Sequence, residues 1–309
     1  FQAEDGIRDF CLSRGLGDVY KRQIVGSANI DQISYVDTIP SDGETVFGNS
    51  YQMGFGGKGA NQAVMAGLLG ADVYMIACLG TDVYNKMTID NLNNSNVNTD
   101  FIQTVDGSSG VAPIWVDKTG QNRIIVIPGA NNLIDGDVAI DSLRTIGSLD
   151  ALVGQFEIPL EVNEKVFEYA NKNGVQTVLN PAPAGAISEK LINNTSWFIP
   201  NEVEFEEMLG EPFSESSLIK HSKEIKPEII VTLGEKGCAE VSDGKVQIHQ
   251  TNKVVAIDTT GAGDAFVGSF SYGLASKLSK QDSIKLALEK ATNSVTKKGT
   301  QSSYSSSSE

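Results

Sequence analysis

Histidine is almost missing from this chain: His221 and His249 are the only two among 309 residues. The three cysteines, Cys11, Cys78 and Cys238, are too few and too scattered for a disulfide framework or a zinc site. They fit a reducing setting, so a cytoplasmic location is expected. No stretch approaches the roughly 18 consecutive apolar residues that a membrane span needs, so no membrane partner is expected. Positive charge is short as well, with 24 Lys and Arg against 39 Asp and Glu and a net charge of −15. Nucleic acid and anionic lipid both call for clustered cations, so neither is an expected partner. A small anionic ligand is still admissible, because a few amides and one or two cations can make a local positive pocket.

What remains is ordinary globular material, 40% hydrophobic and 20% charged. The two ends stand apart. Residues 1–23 have neither helical nor strand period and read as sequence foreign to the domain, and residues 305–309 read as a polar tail. Only Ile24 and Val25 are left to open the first strand, with charges before them. From there the pattern alternates between apolar runs and amphipathic stretches. Strands are expected at 73–79, 151–156, 175–179, 197–199 and 228–233, with a hairpin over 238–249 turning at Asp243-Gly244. Helices are expected at 60–69, 82–92, 159–173, 202–209, 262–278 and 282–297. Continuous apolar strands separated by helices argue for a parallel sheet covered on both faces. Segments 31–55 and 99–127 break that rhythm with polar–apolar alternation, as a small antiparallel sheet standing off the main body would. Such a sheet suits a lid, or equally a decorative hairpin with no role in the site.

Two glycine-rich segments carry the chemistry. In DTTGAGD at 258–264, Gly261 and Gly263 sit where a helix begins. Amides at a helix start lack intrahelical partners and the macrodipole favours negative charge there, which makes an anion cradle for a phosphoryl group. Asp264, inside that cradle, is either a helix N-cap or the base that accepts a hydroxyl proton. The helix dipole is expected to lower its pKa. In GFGGKGAN at 54–61, the glycines satisfy a dinucleotide pattern, but no buried strand precedes them and Lys58 occupies a place that needs bare backbone. No P-loop occurs. Glycines flanking Lys58 and Asn61 suit close approach to a polyhydroxylated ligand.

GGKGAN at 56–61 and DTTGAGD at 258–264, in this order, resemble the two signatures of the ribokinase-like carbohydrate kinases. GSANID at 26–31, NPAP at 180–183, PNEVE at 200–204 and TLGEKG at 232–237 extend the resemblance from Ile24 to about Tyr304. It implies a three-layer α/β/α sandwich with a mainly parallel central sheet, a small antiparallel β lid, and ATP-dependent phosphorylation of D-ribose at its 5-hydroxyl. Related acceptors, such as fructose, 2-keto-3-deoxygluconate or a nucleoside, are the alternatives, and a non-catalytic sugar-binding protein on the same fold is a further one. By the resemblance, Asn29, Asp31, Gly57, Lys58, Gly59, Asn61 and Glu157 would hold the sugar, with Asp264 as base. Gly261, Ala262 and Gly263 would form the anion hole. Asn201, Thr232, Gly234, Glu235, Gly237 and Gly263 would line the ATP site. Glu204 would organise magnesium through water, and Asp258, Thr260, Ser294, Lys297, Gly299 and Ser303 would hold potassium. A homodimer through the β lid is also implied.

Overall fold

The computed structural model describes residues 21–306, with the side chains of Lys21 and Arg22 left aside. Most of the foreign-looking segment, Cys11 and the last three residues lie outside that range. The strands are β1 (Lys21–Val25), β2 (Asn29–Val36), β3 (Gly48–Gly56), β4 (Asp72–Gly80), β5 (Val97–Asn98), β6 (Ile102–Val105) and β7 (Gly110–Val116). They continue as β8 (Asn122–Ile124), β9 (Ala151–Gly154), β10 (Gln176–Leu179), β11 (Trp197–Phe198), β12 (Glu228–Thr232), β13 (Cys238–Ser242) and β14 (Lys245–His249). The helices are α1 (Lys58–Leu68), α2 (Val83–Asn94), α3 (Gly136–Ile146), α4 (Leu160–Lys172), α5 (Glu189–Asn193) and α6 (Glu202–Leu209). α7 (Glu215–Glu224), α8 (Ala262–Ala275) and α9 (Lys280–Ser294) complete them.

The central sheet runs β14-β13-β12-β11-β10-β9-β1-β4-β5, with β6 also on β4, and is parallel up to the antiparallel β12–β13–β14 edge. Successive side chains of a strand point to opposite faces. Ile24, Met75, Ala77, Leu79 and Val153 accordingly enter the cluster under α1, α2, α8 and α9. Their neighbours Val25, Ile76, Cys78 and Leu152 enter the cluster under α3 to α7. Those two apolar layers on either side of one sheet are the expected sandwich.

Five features differ from the sequence reading. β1 begins at Lys21, because its backbone pairs with Asp72 of β4 and, one residue on, with Ala151 of β9. Gln23 is therefore fully buried, and neither polar atom of its amide has a partner. Ile102–Val105 pairs parallel with β4, so that part of 99–127 belongs to the central sheet. The second sheet, β3-β2-β7-β8, has antiparallel outer pairings around a parallel β2–β7 pair. Ser305 is buried and the Lys290 ammonium bonds the Ser306 carbonyl at 2.8 Å, so the start of the polar tail is packed. Helices α3, α5 and α7 had no counterpart in the sequence reading. Each opens on a side-chain cap, from Asp135, Ser188 and Ser214, and those caps were the available signal.

Chain order reverses between β1 and β9: the strands step outward from β1 to β4 and β5, then return to β9 and run the other way. The crevice beyond the carboxyl ends of strands flanking such a reversal is where open α/β sheets bind ligands. Gly26–Asn29 leaves β1 at this point, and Gln155–Glu157 leaves β9.

Candidate active site

The start of α1 is pressed onto the turn that leaves β1. Gly57 has φ +85°, and a Cβ there would come within 2.7 Å of the Asn29 amide nitrogen; one on Gly59 would come equally close to that of Ser27. The glycines of GGKGAN thus permit a backbone approach, and Lys58 becomes the first helical residue. Glu157 is engaged at the end of β9. Its Oε2 accepts the Ser27 hydroxyl at 2.5 Å and the Lys58 amide at 2.9 Å, tying the β9 loop to both. Asp31, half-buried on β2, faces Gly56 so closely that a Cβ on Gly56 would meet Asp31 Oδ1 at 2.4 Å. Asn29 Oδ1 accepts the Asn131 amide at 2.7 Å, while Asn131 Oδ1 takes the Ala28 N–H at 3.0 Å. Asn131 was not among the expected residues; its signal is the GANN run at 129–132.

The second half of the site is built at the start of α8. Gly261 caps it in the left-handed region, φ 77° and ψ 1°, and offers no side chain to the first amides. Ala262 N reaches the Thr259 carbonyl at 3.3 Å, a long bond, so the turn keeps donors for a ligand. Asp264, third in the helix, is not its cap. Its carboxylate is buried and held from α1: Asn61 Nδ2 donates to Oδ2 at 2.8 Å and Gln62 Nε2 donates to Oδ1 at 2.9 Å. Gln62 was missed, because an amide inside an apolar helix reads as core. The second end of the Asn61 amide is also engaged, since Oδ1 accepts Gln301 Nε2 at 2.9 Å. Its observed bonds therefore hold Asp264, not an open sugar position.

A cavity of about 410 Å³ runs from Lys58 and Asp264 along Gly261, Ala262 and Gly263 to Thr232, Gly234 and Gly237. Ile199, Val267 and Leu288 give it apolar wall. Asn201 and Glu204 form a full capping box on α6, each side chain bonding the other's amide at 2.8 Å. Asn201 is thus the helix N-cap, and both residues also border the cavity. Glu235 sits exposed on a short 3-10 turn and is not part of the wall.

Four carboxylates and one ammonium share the crevice. Burial, then the charges of Glu157 and Asp264, push Asp31 up from 3.8 to about 7. Burial also raises Asp264, against the pull of Lys58 and its two amide donors. The expected lowering by the helix dipole is overturned, because loss of water outweighs it. Burial raises Glu204 too. For Lys58, burial works against the charge, yet Asp264, Glu157 and Glu204 together hold it above its ordinary value.

Beside the anion cradle, Asp258 accepts the Thr260 and Gly299 amides at 2.9 Å each, and the Tyr304 hydroxyl bonds the Gly261 carbonyl, also at 2.9 Å. Ser303 and Ser294 are buried nearby in sequence elements that converge here, with Ser303 Oγ on the Thr300 carbonyl at 2.7 Å. Lys297 and Thr260 are exposed. The arrangement as a whole puts hydrogen-bonding groups of Asn29, Asp31 and Asp264 at one crevice beside the open start of α8, a setting chemically suited to a hydroxyl and an anion.

The profile of the pfkB family of carbohydrate kinases matches residues 22–307. The chain belongs to this family. It is 40% identical over 287 residues to the ribokinase of Haemophilus influenzae, covering 91% of this chain and 94% of that one. It is 36% identical over 290 residues to the deoxyribokinase of Salmonella typhi, covering 92% and 95%. The structure of Arabidopsis thaliana ribokinase complexed with ribose and ATP superposes with a TM-score of 0.87 at 28% identity, covering 94% of this chain and 96% of that one. As a pfkB kinase, the chain has the expected mainly parallel sandwich and small separate sheet. Among the described residues, no helix is long and apolar enough to cross a membrane.

Proposed function

We propose that this kinase transfers the terminal phosphoryl group of ATP to the 5-hydroxyl of D-ribose, giving D-ribose 5-phosphate and ADP. The observation that carries the reading is the buried Asp264 carboxylate, held on both oxygens by α1 amides beside the open start of α8. The similarity to ribokinases supports the acceptor. Asn29, Asp31, Lys58 and Glu157 grip the sugar, and the glycines at 57 and 59 let α1 close on it. Asp264 receives the 5-hydroxyl proton as the phosphorus is attacked, while the amides of Gly261, Ala262 and Gly263 take the charge on the moving group. Such transfer has a loose transition state and needs chiefly positioning. ATP lies along the cavity past Asn201, Thr232, Gly234 and Gly237.

The residues fit the two cations of this reading. Glu204 has one oxygen in its capping bond and the other left to order water around magnesium. The Asp258, Ser294, Gly299 and Ser303 segments bring hard oxygen donors and no soft ones, as a potassium ion requires. Bound magnesium neutralises phosphate charge, and potassium stiffens the anion-hole turn.

The small sheet and the segments flanking it carry exposed Phe47, Tyr51, Ile124, Ile125, Val126 and Ile127, which supports its use as a lid and as a dimer interface covering open strand edges. A cytoplasmic location is part of the same reading.

A second acceptor, 2-deoxy-D-ribose, is favoured by the similarity to deoxyribokinase. Turnover of ATP with ribose, 2-deoxyribose, fructose, 2-keto-3-deoxygluconate and a nucleoside decides between them. The highest kcat/KM is expected for ribose. A faster rate on 2-deoxyribose reassigns the acceptor, and no turnover on any pentose overturns the reading.

A further inference from the structure

Gln62 is wholly buried on α1 and is one of the two amides that hold Asp264. Its Nε2 lies 2.9 Å from Asp264 Oδ1 and 3.1 Å from Asn180 Oδ1, and its Oε1 accepts Gln155 Nε2 at 2.7 Å. The polarity of this chain of amides is determined from the backbone. Asn180 Nδ2 donates to the Ile199 carbonyl at 3.0 Å. A carbonyl only accepts, so Asn180 must turn its oxygen toward Gln62, and Gln62 must answer with N–H. Reversing Gln62 would set its oxygen against two acceptors, Asn180 Oδ1 and Asp264 Oδ1.

We propose that Gln62 is a positioning residue for phosphoryl transfer: locked by Asn180 and Gln155, it fixes the Oδ1 edge of Asp264 as a hydrogen-bond acceptor in one orientation toward the substrate hydroxyl. Asn61 steadies the other oxygen but answers to the C-terminal turn, through Gln301 and then Asn91 at 2.7 Å. The Gln62 arm is internal and answers to β9 and β10. Its far end bears a cost. Gln155 Oε1 and Asn163 Oδ1 are buried without a donor, although Asn163 Nδ2 bonds the Gln155 carbonyl at 2.7 Å. Buried polar atoms are rarely left this way; here Gln155 Nε2 is committed to Gln62 Oε1 and Asn163 Nδ2 to the Gln155 carbonyl.

Every charged or titratable group around Asp264 bears on the test. Lys58 favours its ionised form; Glu157, Glu204 and Asp31 oppose it, and Tyr304 is buried nearby as a neutral phenol. Loss of the Gln62 donor leaves burial less opposed, so the acid limb of the kcat profile moves to higher pH.

This inference rests on Asp264 being the base, so Asp264→Asn is measured beside Gln62→Leu. For Gln62→Leu, kcat should fall about 10- to 100-fold, less than the roughly 100-fold or more that loss of a direct donor or base costs, because Asn61 still holds Asp264. Ribose KM should stay within about threefold, and the acid limb should shift to higher pH. Gln62→Glu, which sets a second carboxylate against Asp264, should be slower still. A kcat within about twofold and an unmoved acid limb overturn the proposal. If Gln62→Leu fails to fold by thermal melting, Gln155→Met decides: it should lower kcat and shift the limb in the same direction, and no change in either overturns the proposal. Asp264→Asn with near-normal turnover removes the base reading itself, whereas a dead Asp264→Asn beside a normal Gln62→Leu removes only the role of Gln62.

Discussion

Acidification from about pH 8 to pH 6 should weaken ribose binding roughly ninefold, because a group titrating near 7 passes from about 90% to about 10% ionised over that interval. The group is Asp31. Burial first, and then the charges of Glu157 and Asp264, raise it from 3.8 to about 7. Only the ionised carboxylate can accept from sugar hydroxyls with both oxygens and with the added strength of charge. The sign follows directly: a raised carboxylate loses its acceptor form as pH falls through about 7, where an exposed aspartate would hold it to about 4. Calorimetric titration of ribose without ATP isolates this effect, because no proton transfer by Asp264 is then involved. Glu157→Gln removes the largest charge acting on Asp31 and should slide the midpoint downward. Asp31→Asn should weaken binding and flatten the profile. An affinity that stays level from about pH 6 to 8 in the parent protein would refute the reasoning, as would a midpoint indifferent to Glu157→Gln.

Replacement of the orphaned amide in Gln23→Leu should stabilise the fold by about 1–3 kcal/mol, the desolvation cost of an unpaired buried polar group; urea unfolding with an unchanged or lower midpoint would contradict this. Gly261→Ala places a Cβ 2.4 Å from Thr300 Cγ2 and 2.8 Å from the Tyr304 hydroxyl, at φ +77°. It should cut kcat by at least about 100-fold, as loss of an oxyanion donor does, and a near-normal rate would show the turn to be dispensable. Sodium in place of potassium should lower turnover, and chelation of magnesium should abolish it. Equal rates in the two monovalent salts would remove the Asp258 site from the account.

Most of the layered architecture could be read from the chain because β4, β9 and β10 are continuous apolar runs and α4, α6 and α8 carry clear periods and stops. β1 hid because its first three residues, Lys21, Arg22 and Gln23, are polar, and only pairing with β4 and β9 makes them a strand. β6 was grouped with the small sheet because four residues of local alternation do not reveal which partner they pair with. At the site, glycine spacing exposed both loops, whose backbones must approach closely. Asn131, Gln62 and Gln155 stayed hidden, since their work depends on partners 102, 202 and 93 residues away in the chain. The state of Asp264 also escaped the sequence reading: a helix start predicts a lowered pKa, and only the buried surroundings reverse it.

The most direct check is turnover of ATP with ribose by Asp264→Asn, set beside its ribose affinity. kcat should fall about 100- to 10,000-fold, the span for a positioned general base, with ribose affinity changed by less than about threefold. A kcat within about tenfold of the parent protein would contradict the assignment of Asp264 as the base.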